Sequence, residues 1–245
     1  MNPSIRLLLI ATFSLSFYSC DSLQEIGQVI LEDPGVAETV LSNEDVIAGL
    51  KQALEIGAEK ASDLASAQDG FYKNPLLFIP FPEEAIKVKE TAVQYGFGPQ
   101  VEQFEMTLNR AAEKAAAEAT PIFIDAIKGM TIADGFAILN GADNAATMYL
   151  KEKTTPQLEQ AFRPKADAAI AELKLTQYWE PLVTKHNTVN FLTGGEDIET
   201  DLTAYVTERA ISGLFVHVEA RERDIRENPE ARVTSLLQKV FGSVQ

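Results

Sequence analysis

One cysteine, two histidines and one tryptophan in 245 residues leave few of the side chains that carry redox, metal or nucleophilic chemistry. Cys20 has no second thiol to pair with, which excludes an internal disulfide. Neither His186 nor His217 has a metal-ligand partner at helical spacing, since Arg221 stands one turn after His217. A zinc site needs three or four clustered ligands, and no such motif is present. A glycine-rich phosphate loop after a strand and a Gly-x-Ser-x-Gly elbow are also missing, so the usual signatures of phosphoryl and acyl transfer do not occur. The pattern calls for no cofactor.

Positive charge is scarce as well. The chain has 21 Lys and Arg against 36 Asp and Glu, a net charge of −15. Phosphate backbones and anionic headgroups are bound by clustered basic residues, so this balance excludes nucleic acid as a partner and gives no basic face for a membrane. Long apolar runs are few. The one that stands out, Leu7 to Tyr18, follows a short start containing Arg6. It is roughly half of the 20 or so residues needed to span a bilayer, which is the layout of a signal peptide.

The apolar run ends at Ser19-Cys20, a small residue before the lone cysteine. This resembles the lipobox of bacterial lipoproteins, in which the thiol is acylated with palmitate-type chains and the chain is cut just before it. Ser19 and Phe17 suit the pattern, while Tyr18 is bulkier than its usual occupant. Two acyl chains hold a protein stably on a membrane where one does so marginally. The expected location is therefore the bacterial cell envelope, lipid-anchored and facing the periplasm. Cleavage there removes Arg6 and no acid, leaving 226 residues with 20 basic and 36 acidic side chains.

The chain divides on this reading into a signal peptide at 1–19, Cys20 and a tether at 20–42, and an all-helical domain at 43–245. Ser42 with Asp45 forms a capping-box-like start, and Val46, Ile47, Leu50, Ala53, Leu54 and Ala58 follow at helical spacing. Pro75, Pro80 and Pro82 rule out a helix over 69–82, which reads as an extended apolar strap lying across helices. A helix from about Glu83 is stopped by Gly96, and Pro99 sits in the first turn of the next. That stride passes through Pro121, where a kink or break is expected. Thr131 with Asp134 starts another helix ending near Asn140-Gly141, one runs from Ala142 to Lys153, and Thr155-Pro156 opens a further one bent by Pro164. A shorter helix starts at Thr176, a long one spans Asp201 to Glu227, and a last amphipathic piece includes Leu236, Leu237, Val240 and Phe241. The fold class is all-α: one domain of about eight to nine helices with a Pro-rich strap and no substantial β-sheet.

Four runs in this order give the chain a family likeness: Asp69-Gly70-Phe71-Tyr72-Lys73-Asn74-Pro75, Leu108 to Ala115, Ile138 to Thr154, and Glu227 to Arg232. Over roughly residues 45 to 242 the chain resembles the bacterial domain of unknown function 4197. The resemblance implies a helical, often lipid-anchored envelope protein. It brings no catalytic residues with it.

Polar residues offer two candidate sites. Glu196, Asp197, Glu199 and Asp201 follow Gly194-Gly195, and the oxygens of Asp197, Glu199 and Asp201 suit a weak calcium site; the competing reading is a solvated helix start favoured by the dipole. Glu105, Asn109 and Glu113 fall one turn apart on a single helical stripe with Arg110 beside them. Asn109, Arg110, Glu113 and the Asp143-Asn144 loop form a candidate ligand pocket, against which stands the cheaper explanation of ion pairs and caps. The two glutamates lie about 12 Å apart by helix rise, too far to share a proton. His217 shares a face with Val206, Ala210 and Leu214 and reads as a core or edge histidine. The leading expectation is a lipid-anchored, non-enzymatic binding or structural module whose partner is an envelope protein or a small apolar ligand. A carboxylate-based hydrolase in a helical pocket, and a carrier of an apolar ligand beneath the strap, are the alternatives.

Overall fold

The computed structural model describes residues 42–172, 177, 179–181, 183, 184, 186–188 and 201–228, with the single positions 231, 234 and 238. The chain separates into a leading unit, Met1–Val40, and a body, Leu41–Gln245, to which all the described residues belong. The signal peptide and Cys20 lie outside them, as does most of the last amphipathic piece; of the helix expected to start at Thr176, the described positions 177, 179–181, 183, 184 and 186–188 are helical.

Seven α-helices and one 3-10 turn have bounds within the described residues, further helical positions occur between 177 and 188, and no strand occurs among the described residues. They are α1 (Asn43–Ser66), the 3-10 turn Glu83–Ala85, α2 (Ile86–Gln94), α3 (Gly98–Ala116), α4 (Ala119–Lys128), α5 (Ile132–Leu139), α6 (Ala145–Glu172) and α7 (Leu202–Glu227). The all-α class holds, with slightly fewer helices than expected. Two starts follow local chemistry: Ser42 Oγ accepts from Asp45 N while Asp45 Oδ2 accepts from Ser42 N, both at 3.1 Å, and Thr131 and Asp134 repeat the exchange at 3.1 and 3.0 Å. Each pair satisfies helix-start N–H groups that the helix itself cannot.

The prolines act differently in two places. Between α3 and α4 the chain breaks at 117–118, and Pro121 sits in the first turn of α4. A proline ring clashes with the carbonyl four residues back, here Ala117, so the break falls before the proline and not at it. Pro156 and Pro164 do not open a new helix; α6 runs through both as one 28-residue element, where two helices were expected. Tertiary packing overrides the local signal, because Leu150, Thr154, Leu158, Phe162, Ala166 and Ala169 keep one face buried through the prolines. Both prolines stand on the exposed side.

The first turn of α6 is closed by a side chain from another helix. Glu222 of α7, 7 % exposed, accepts from Ala146 N at 2.9 Å and from Thr147 N at 2.8 Å. Arg226 donates to Glu222 Oε1 through Nε at 3.0 Å and through an Nη at 2.8 Å, and that Nη also donates to Ile138 O at the end of α5. The buried Glu222 and part-buried Arg226 therefore fasten α5, α6 and α7 at one point.

The core forms one cluster. α3 contributes Ala111, Ala112, Ala115 and Ala116, all fully buried, and contacts α1, α6 and α7. Phe81, Phe104 and Trp179 pack beside it with ring centroids 4.6 to 5.6 Å apart, Phe104 and Trp179 stacked and Phe81 tilted against both. Gly213 on α7 lets the strap in: a Cβ there would lie 2.6 Å from Phe71 Cε1. Among the described residues no helix is long and apolar enough to cross a membrane.

Candidate functional site

The stripe Glu105, Asn109 and Glu113 faces the strap. Only part of the strap is extended: residues 67–77 form successive turns, and an open segment follows to Pro82. Along that segment Leu77, Ile79 and Phe81 are buried, while Phe78 is half-buried and Pro80 exposed, a period of two. Asn109 Oδ1 accepts from Ile79 N at 2.8 Å and Asn109 Nδ2 donates to Ile79 O at 2.9 Å. Glu105 Oε1 accepts from Phe81 N at 3.3 Å. Four residues of helix rise about 6 Å and two residues of extended chain about 6.6 Å, so successive turns of α3 meet alternate amides of the strap. A helix here supplies the partners that a neighbouring strand would supply in a sheet.

Glu113, 4 % exposed, closes the turn-rich half, where its Oε1 accepts from Phe71 N at 3.1 Å and from Tyr72 N at 3.2 Å. Arg110 donates to Glu113 Oε2 and to Asp69 Oδ1, and its guanidinium lies 5.6 Å from the Tyr72 ring centroid. Lys73 and then Arg110 hold the Asp69 carboxyl below the usual carboxylate range. Gly70 has no room for a side chain, because a Cβ would lie 2.4 Å from Leu64 O. On the other side Tyr205 of α7 donates to Pro80 O at 3.1 Å.

The structure thus brings Asn109, Arg110 and Glu113 together, with the strap backbone as what they hold. Asp143 and Asn144 stand apart from them. Asp143 is exposed and Asn144 half-buried just ahead of α6, and among the described residues no hydrogen bond or ion pair links either to the α3 stripe. Asp201 caps α7, its Oδ1 accepting from Ala204 N at 2.9 Å, and its Oδ2 pairs with Arg163 at 2.7 Å. Asp197 and Glu199 lie outside the described residues, within which no group of three or more His, Cys, Asp or Glu gathers for a metal. His217 is half-buried on α7, its Nε2 shielded without a hydrogen-bond partner among the described residues, and burial followed by the charge of Arg221 pushes its pKa down.

A different surface carries concavity. Where α6 passes between α4 and α5, two adjoining hollows of about 450 and 550 Å³ share Asp134 and Tyr149 in their walls. Apolar atoms of Ile122, Ala126, Ala137, Ile138 and Met148 line them, with Asp125, Glu152 and Lys153 also in the walls. Lys153 Nζ lies 5.8 Å from the Tyr149 ring centroid. Burial, with the Asp134 carboxylate adding to it, raises the Tyr149 phenol, which stays protonated and makes no hydrogen bond among the described residues. Sequence reading saw Asp134 only as a cap and passed over Tyr149. The helical stripe Ala145, Tyr149, Lys153, Gln157 was visible, but which helices flank it is a tertiary fact.

Residues 40–242 match the family described as protein of unknown function (DUF4197). The chain belongs to this family. No curated protein and no solved structure matches it. The four runs that carry the family likeness are not scattered over the fold. The run at 69–75 meets the run at 108–115 through Glu113 and Arg110. The run at 138–154 is fastened by Glu222 and Arg226, immediately ahead of the run that begins at Glu227. In this family member the quoted motifs thus stand at two hydrogen-bonded junctions between elements.

Proposed function

We propose that this protein is a bacterial lipoprotein, held on the cell envelope through a lipid on Cys20, whose helical body binds a ligand or partner and catalyses no reaction. The observation that carries the reading is how the acids are used. Glu105 and Glu113, the carboxylates a hydrolytic pocket would need, accept from strap amides and pair with Lys89 and Arg110. The groove at Tyr149, in contrast, presents solvent-facing polar groups beside apolar walls, the usual make-up of a binding surface. Beneath the strap Phe71, Ile79 and Phe81 are 0 to 1 % exposed, and neither hollow beside α6 reaches them, which argues against an apolar cargo there. The membrane link rests on the sequence ahead of the body.

Metabolic labelling with an alkyne fatty acid tests the anchor: wild type takes up label and Cys20→Ala does not, whereas equal labelling overturns it. Crosslinking in cells tests the binding role, with capture of a discrete envelope component as the expected result.

A further inference from the structure

We infer that the groove formed by α4, α5 and α6 around Tyr149 is a site for an organic cation, an ammonium or guanidinium group carried on an apolar body. The inference rests on reading the body as a binding module and names the chemistry of its ligand. Three observations converge on it.

The first is size and shape. Hollows of about 450 and 550 Å³ meet at Tyr149 and Asp134, and each falls within the roughly 300–1,000 Å³ usual for small-ligand sites. The apolar part of a ligand would lie along Met148 and Ala137 on one side of the tyrosine or along Ile122 and Ala126 on the other. Met148 is 55 % exposed, a large apolar side chain left in solvent at the groove wall.

The second is an excess of negative charge. Asp134 engages Oδ2 in the Thr131 cap and forms no ion pair within 4 Å among the described residues, and its hydrogen bonds to Thr131 N and Oγ1, with the charge of Lys153 adding a smaller share, keep the carboxyl ionised below its ordinary range. Asp125 forms no ion pair among the described residues. Of the basic residues in the walls, Lys153 is already shared between Glu152, at 3.3 Å, and the Tyr149 ring. The walls hold Asp125, Asp134 and Glu152 against Lys151 and Lys153, so an arriving cation gains and an arriving anion does not. The net charge of −15 acts in the same direction at longer range.

The third is a stand-in within the protein. The Lys153 ammonium occupies the position over the Tyr149 ring that a ligand cation would take, because an aromatic face attracts positive charge. Lys153 is 47 % exposed and able to swing away. It competes for the ring in the free protein, and removing it clears the place.

The test uses the full chain in neutral detergent and three matched probes: phenethylammonium, 2-phenylethanol and 3-phenylpropanoate, titrated by NMR with the Tyr149 ring as reporter. The cation is expected to bind about fivefold or more tightly than the alcohol, with the carboxylate weakest. Lys153→Ala is expected to tighten the cation about threefold, Asp125→Asn to weaken it about twofold, and Tyr149→Leu to abolish the preference for cation over alcohol. Lys153 and Asp125 are exposed, so those variants read charge in a folded protein. Equal affinities for the three probes, tightest binding of the carboxylate, weaker cation binding in Lys153→Ala, or no binding at Tyr149 each overturn the inference. Equal binding of alcohol and cation overturns it as well, leaving a groove with no preference for positive charge. The labelling and crosslinking above judge the wider function independently.

Discussion

At the scale of single residues, Asn109 shows how one side chain replaces a strand. Its amide both accepts from and donates to Ile79, and it is 0 % exposed, so no water can take its place. Asn109→Ala leaves a buried N–H and C=O unpaired and is expected to cost about 2–4 kcal/mol in urea unfolding. Faster amide exchange at Ile79 is the local sign, and unchanged exchange would refute the assignment. His217 gives a pH signature. Its folded pKa lies below the ordinary 6.5 because burial, with Arg221 nearby, disfavours the imidazolium. Between those two values the unfolded chain binds more protons than the folded one, so stability is complete above 6.5 and falls as pH drops through the interval. Denaturation midpoints measured from pH 7.5 down to 5 are expected to fall less in His217→Gln than in wild type; parallel curves would show that His217 contributes nothing to this slope.

At the scale of elements, α6 and the α3–α4 break respond to proline in opposite ways: a local clash decides the break, and the buried face of α6 carries that helix through. Pro121 follows a break in the chain, whereas Pro156 lies mid-helix with its ring exposed and no N–H to offer Glu152 O. Pro156→Ala restores that bond without disturbing the packed face. An interior proline costs a helix about 3 kcal/mol, and the stiffer unfolded chain returns up to about 1 of it, so a gain of about 2 kcal/mol is expected by thermal or urea denaturation. A loss of stability would mean that the proline shapes a bend which the packing needs. The strap makes the complementary case. Its prolines correctly excluded a helix, but the turns over 67–77 depend on Glu113 and on Gly70 lying against α1, and no local pattern foretold them.

At the scale of the whole molecule, two buried glutamates join what the helices alone would leave loose. Glu222 is the sharper case, since it caps α6, binds Arg226 and so reaches α5. Glu222→Ala takes the acceptor from two helix-start amides and from a part-buried guanidinium, and a loss of about 2–4 kcal/mol is expected. Loss of protection over the first turn of α6, with α3 unaffected at first, would show by hydrogen exchange that the junction is local in origin. The sequence alone determined the helical class, the caps at Ser42 and Thr131, the helix stop at Gly96, the proline strap and the family likeness. Each rests on residues within a few positions of one another, where side-chain period and backbone chemistry decide. It also singled out Asn109, Arg110 and Glu113 as a group, because one helical turn aligns them. What they hold, why α6 continues through two prolines, how Glu222 caps a helix some 75 residues away, and where a groove opens around Tyr149 were decided by the tertiary structure. Each requires groups distant in the chain to be buried together, and burial is what makes an unpaired amide or charge costly enough to fix the partner.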